Sequence, residues 1–215
     1  RRWGRLGLMV TQLLTDADAR AIEAAVARIE GESSAEIVVA VVPRSADYWQ
    51  GRVLLAVAWA VAAGLVFLLV QPWRDPALSV LVEVLVGALA FVISGLQPVL
   101  RLLISSKAAA QAAQARAFQL FAERGLHGTR GRTAVLVFVS ELEHSVVLLG
   151  DHSIDSALGR AGWQGYVDAL VARIRAGQAR DGILELLAQL EPQLIAVAPR
   201  SADDVNELPD APLRL

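Results

Sequence analysis

Cysteine is absent from the 215 residues, and methionine occurs once, at Met9. The first absence excludes disulfides and thiolate chemistry, but it fixes no compartment. Charge is also scarce. Charged residues make up 20% of the chain, the net charge is −2, and both signs are mixed in both flanks. No basic stripe of the kind that tracks a phosphate backbone is present, so nucleic acid is not an expected partner. The sequence also has no P-loop, dinucleotide fingerprint or nucleophile elbow.

What fills the chain instead is apolar. It is 55% hydrophobic with a mean hydropathy of +0.47, more than an ordinary soluble domain carries. The excess sits in one region. Val53–Val70, "VLLAVAWAVAAGLVFLLV", has no charge, and Ala77–Leu100 is interrupted only by Glu83. At about 1.5 Å per residue these runs reach roughly 27 and 36 Å, enough to cross a hydrocarbon core. A buried core hairpin is the alternative. Two long runs joined by "QPWRDP", with Trp49 and Trp73 just outside the ends of the first, favour a membrane hairpin.

A hairpin in mid-chain leaves both flanks on one side of the bilayer. Arg44, Arg52, Arg101, Lys107 and Arg116 lie on that side, against Arg74 beside Asp75 in the loop. The positive-inside rule therefore predicts that both termini are cytoplasmic. The first run begins at Val53, too late for a signal peptide, and residues 1–8 ahead of Met9 are left out of fold reasoning.

The polar flanks alternate between helix and strand patterns. "TDADARAIEAAVARIEG" (15–31) reads as a helix with Thr15 as N-cap and Gly31 as stop; Ile22, Val26 and Ile29 mark its buried face. "AEIVVAVVP" (35–43) is a buried strand ended by proline. Residues 105–125 form a helix that continues from the second span, kinked near Pro98, with Phe118, Phe121 and Leu126 docking on a sheet. "TAVLVFVS" (133–140) and "SVVLLGD" (145–151) make a hairpin around "ELEH". Helices follow at 161–177 and 179–192, the second closed by Pro192; Gly159, Gly162 and Gly165 suit a helix start better than a phosphate loop. The first flank holds one strand and the second two, too few for separate sheets, so both share one α/β domain. The boundaries are 10–50 for its first part, 51–104 for the transmembrane hairpin and 105–195 for its second part. An acidic, partly disordered tail covers 196–215.

This order of elements, with "AFQLFAERGLHGTRGRTAVLVFVSELEHSVVLLGDHSID" at its centre, resembles the TPM domain family of thylakoid photosystem II repair proteins and bacterial membrane proteins. It is similar above all to the bacterial subgroup that inserts a two-helix span into the domain, where "GLHxTxGRTGVLIFVS" and an acidic tail ending in "ELPD" recur; here the latter is Glu207-Leu208-Pro209-Asp210. The resemblance implies a small α/β/α sandwich with the inserted hairpin, in the bacterial inner membrane. It also carries a phosphatase label. Soluble members have Asp-Asn-Gly before the strand matching 133–139, where acidic groups suit a divalent cation. This chain has Gly131-Arg132-Thr133 there, which replaces a hard oxygen ligand with a fixed positive charge.

Antiparallel pairing of 133–139 with 145–150 brings His127, Arg130 and Arg132 toward Asp151, His152 and Asp155, and leaves His144 at the opposite end. Three readings of this group follow. His127, Asp151, His152 and Asp155 are candidate ligands for a divalent cation, the one cofactor considered. Arg130 and Arg132, with glycine N–H groups, are candidates for a phosphate. The structural reading, which the absence of a close-spaced ligand pair favours, ties Arg132 to Asp151 or Asp155. Glu83, an ionisable group inside a span, is a candidate for headgroup or oligomer contact, or for an ion pathway. The expected function is a non-catalytic binding or assembly module for a membrane complex. A TPM-type phosphatase comes second and an oligomeric channel third. Expected partners are the lipid bilayer and a membrane protein or further copies of this chain.

Overall fold

The computed structural model describes residues 13–70, 75–129, 131–201 and 210–214. Two compact units divide the chain: Ala46–Ala109 is one, and the segments before and after it make the other.

In the discontinuous unit, α1 (Asp16–Glu32) begins at Thr15, whose hydroxyl accepts the Asp18 N–H while Asp18 accepts the Thr15 N–H. This capping box satisfies two otherwise orphaned donors. Its hydrogen bonds hold the Asp18 carboxyl below the usual range, the Thr15 hydroxyl contributing most. Strands β1 (Ile37–Val42), β2 (Val135–Ser140) and β3 (Ser145–Gly150) follow the expected positions. A fourth, β4 (Leu213–Arg214), gives the order β3-β2-β1-β4. β1 runs parallel to β2 and to β4, and β2 antiparallel to β3, with Val135 opposite Gly150 and Ser140 opposite Ser145.

The two central strands are buried along their whole length. That is why they read as unbroken β-branched runs rather than alternating ones. Helices cover both faces. Ile37, Val39 and Val41 of β1 and Val135, Val137 and Val139 of β2 pack with α1, α6 (His152–Arg175) and α7 (Ala179–Val197). Val38, Ala40, Val42, Leu136 and Phe138 face Ala113, Ala117 and Leu120 of α5 (Ser106–Glu123). The unit is thus mixed α/β with a four-stranded mixed sheet.

The other unit holds α2 (Trp49–Val70) and α3 (Pro76–Ser94), each long and apolar enough to cross a membrane. Only 6% and 11% of their most apolar stretches are buried within the chain, so neither is a core helix of this unit. Small residues form the seam between them: a Cβ on Gly87 would lie 3.2 Å from that of Ala60. Such residues let helix backbones approach closely where lipid supplies no hydrophobic drive.

Several expectations are corrected. The second span does not run into 105–125. α3 ends at Ser94, Leu96 is extended, and α4 (Gln97–Leu103) starts anew with Pro98 in its first turn, where a missing N–H costs nothing. Phe118 is 54% exposed; Ala113, Ala117 and Leu120 dock on the sheet instead, with Phe121 partly buried and Leu126 fully so. α7 passes through Pro192 to Val197. The carbonyl that loses its donor belongs to Ala188, an exposed residue, so water can replace it. The tail is not only an appendage, since Leu213 and Arg214 pair with Ala40 and Val41. Residues 202–209, including most of the "ELPD" match, lie outside the described residues, as do Trp73 and Arg74.

Candidate functional site

The β2–β3 register sets the frame of the expected site. Ala134, just before β2, accepts the Asp151 N–H (2.8 Å), so the chain leaving β3 starts α6 beside the chain entering β2. Ser153 fastens the two together: its N–H donates to the Arg132 carbonyl (3.3 Å) and its hydroxyl to that of Gly131 (3.1 Å). The 131–132 turn and the first turn of α6 are therefore neighbours, as the pairing predicts. Arg132 takes φ 51, a strained left-handed conformation for a residue with a Cβ. Arg130 lies outside the described residues.

The individual side chains are less convergent than their sequence positions imply. Asp151 is the N-cap of α6, its Oδ1 accepting the His152 N–H at 2.7 Å. His152 and His127, the latter on the 3-10 turn Leu126–Gly128, are exposed. Asp155 is engaged elsewhere: its Oδ1 accepts the Trp163 indole N–H at 3.1 Å. Eight residues of unbroken helix would separate those positions by about 12 Å. The contact exists because α6 breaks at Gly159 (φ 65, ψ 163), a conformation that suits glycine. Trp163 is 7% exposed and belongs to the core.

Among the described residues, no three His, Asp or Glu side chains are placed to hold a metal, so His127, Asp151, His152 and Asp155 do not form a ligand set. Nor does Arg132 pair with Asp151 or Asp155 there; the structural reading fails in its details. The loop is tied to α6 through Ser153 and backbone carbonyls instead. Two buried polar atoms at this end of the sheet lack hydrogen-bond partners: Asp151 Oδ2 and Thr129 Oγ1. Buried polar atoms normally have partners, so these two mark where a water or ligand fits best.

Glu83, half-buried, packs across the hairpin. Its carboxyl lies over Gly64 of α2, so closely that a Cβ on Gly64 would sit 2.2 Å from Oε1. The absent side chain of Gly64 is what gives the carboxyl room inside the hairpin.

A second titratable cluster lies at the carboxyl end of α1. Glu30 of α1 is 9% exposed, Glu36 is 7% exposed, and both line a cavity of about 190 Å³ with Arg200. Arg200 Nη1 donates to the carbonyls of Glu30 and Gly31, a cation placed at the carboxyl end of α1. Burial pushes the Glu30 carboxyl up to about 8. Glu36 and Asp210 add to that rise, and the Ile37 N–H partly offsets it. One signal was in the sequence: Glu30 follows Val26 by four residues and so shares the buried face of α1.

No protein-family model matches the chain, and neither does any curated protein. Among solved structures, the NMR structure of the BA42 protein from the psychrophilic bacterium Bizionia argentinensis is similar, with a TM-score of 0.59 and 16% identity. That likeness covers 96% of this chain and 98% of the other, and at this identity it speaks for the fold alone.

Proposed function

We propose that this chain is a membrane-anchored binding or assembly module of the TPM type: an α/β/α sandwich interrupted by a two-span hairpin and acting on a membrane complex without catalysing a reaction. The observation that carries the reading is the hairpin's surface. α2 and α3 present Leu, Val and Trp outward, with Leu69 83% and Trp59 56% exposed, in the middle of a chain whose remainder forms one α/β unit. Such a surface is stable against lipid and costly against water. The module sits in a bacterial inner membrane with both flanks cytoplasmic, following the excess of Arg and Lys at the flank ends of the spans. Its partner is another membrane protein or further copies of the chain. The test is quantitative purification from native membranes after crosslinking. A binding module brings down one membrane protein in constant ratio; a chain recovered alone at every crosslinker dose contradicts the proposal.

A second reading, a TPM-type phosphatase using a divalent cation, is favoured by Asp151 Oδ2 and Thr129 Oγ1, the two buried atoms without partners. Asp151 offers a single carboxylate oxygen there, with no second and third His, Asp or Glu placed beside it among the described residues, and Arg132 in the adjacent turn offers a cation for a phosphate ester. Hydrolysis of a generic phosphoester by the detergent-solubilised protein separates the two. Metal-dependent turnover that disappears in Asp151→Ala would replace the first reading with the second.

A further inference from the structure

We infer that the flank-side end of the hairpin carries a binding site for the phosphodiester headgroup of an anionic glycerophospholipid, with Arg52 as the residue that holds it. The inference rests on the membrane reading above.

Arg52 lies in the first turns of α2, about 27 Å along the helix from Val70 and the short loop. If the hairpin spans the bilayer, that is headgroup depth. The guanidinium is fixed on three sides. It stacks 4.3 Å from the centroid of the Phe91 ring, and Nη2 donates to the Phe91 carbonyl at 3.1 Å. It also rests on Gly95, where a Cβ would lie 2.6 Å from Nη2. None of these neighbours is an anion. Among the described residues no carboxylate pairs with Arg52, and its Nε is buried without an acceptor. A guanidinium is a fixed cation with five donors, and here only the Phe91 carbonyl accepts from it while Nε is shielded without an acceptor, so donors and charge remain to be matched by an anion. A planar fork already held in place is suited to bind a phosphate through two oxygens.

The space for that phosphate is beside it. Arg52 lines a cavity of about 210 Å³ together with Tyr48, Gly51, Leu100, Leu103 and Ser105. At about 30 Å³ per water this has room for a phosphodiester and its glycerol rather than one bound water. The lining is mixed in the way a headgroup and its first acyl carbons need: a cation and hydroxyls, then leucines. α4 continues the apolar side outward, with Leu102 87% and Leu103 43% exposed. That gives the acyl chain a track. Arg52 therefore serves as a lipid anchor as well as a topology signal.

The experiment is native mass spectrometry of the full chain purified in a mild detergent, after exchange into micelles doped with phosphatidylglycerol or phosphatidylcholine. Wild type should retain one phosphatidylglycerol, at least tenfold more than phosphatidylcholine, and millimolar inorganic phosphate should not displace it. Arg52→Gln should lower retention at least tenfold. Arg52→Lys keeps the positive charge and loses only the planar fork, so it should retain phosphatidylglycerol less well than wild type and better than Arg52→Gln. All three proteins should keep the same helical circular dichroism, which separates lost lipid from lost folding. Equal retention in wild type and Arg52→Gln overturns the site. Displacement by inorganic phosphate overturns the lipid assignment. A wild type that stays dispersed without detergent overturns both the site and the membrane reading; one that requires detergent and retains no lipid overturns the site alone.

Discussion

Val137 and Phe138 in β2 are fully shielded, whereas Leu65 and Leu69 in α2 are 58% and 83% exposed. The residue types are alike and their placement is opposite. In the α/β unit, Val, Ile and Leu turn toward a sheet, and most charged groups turn out, Glu30 and Glu36 excepted. In the hairpin, Gly64, Ser79 and Ser94 are the buried positions, and the large apolar side chains face outward. Water drives the first arrangement; on the proposed membrane reading, close packing of small residues with lipid outside accounts for the second. An apolar run therefore says nothing about inside or outside until its length and its small residues are taken into account.

The sharpest way to break this contrast is to truncate one large side chain in each region. Phe138→Ala should cost about 3–5 kcal/mol, because the cavity beneath α5 cannot be filled. Leu69→Ala should change the thermal transition in detergent by less than about 0.5 kcal/mol. Equal losses would mean that the outer face of the hairpin is packed against protein.

Glycines give a smaller contrast. A Cβ at Gly150 would lie 2.9 Å from the Trp163 ring and 3.3 Å from the Asp155 nitrogen, so Gly150→Ala should cost about 1–3 kcal/mol by overpacking. At Gly64 the atoms nearest the added Cβ are those of the movable Glu83 side chain, and Ala improves helix propensity by about 1 kcal/mol. Gly64→Ala should therefore shift stability little while displacing Glu83. Chemical denaturation of both variants checks the difference.

The pH response belongs to the α/β unit alone. Folded Glu30 holds its proton up to about pH 8, whereas in the unfolded chain it releases it near its ordinary value of 4.5. Between those limits the folded state binds more protons, so stability is greatest at the acidic end and falls as pH rises through the window. Glu30→Gln, which mimics the protonated form, should flatten that slope. A slope unchanged in Glu30→Gln would assign the response to another group.

Much of this was legible from local patterns. Thr15 and Asp18 announce the start of α1, the β-branched runs announce β1 and β2, and "ELEH" fixes the β2–β3 register. That register placed the 131–132 turn beside Asp151. What escaped depends on contacts distant in sequence. β4 is two residues long and follows Pro212, so only its pairing with β1 reveals it. Asp155 reaches Trp163 only because Gly159 interrupts α6, and Glu30 acquires its proton from burial beside Glu36 and Asp210. Pro192 signals a stop in the sequence but falls on a solvated side of the helix, so α7 runs on to Val197.

The chain has no cysteine, which makes the central claim directly measurable. Single cysteines can be introduced at three exposed positions: Arg20→Cys and Ala122→Cys in the flanks, and Ala77→Cys at the loop end of α3. Labelling intact spheroplasts with a membrane-impermeant maleimide should modify only Ala77→Cys, and permeabilisation should then expose both flank positions. Modification of all three before permeabilisation, or of none but the flanks, would contradict a two-span hairpin with its α/β unit held on the cytoplasmic side.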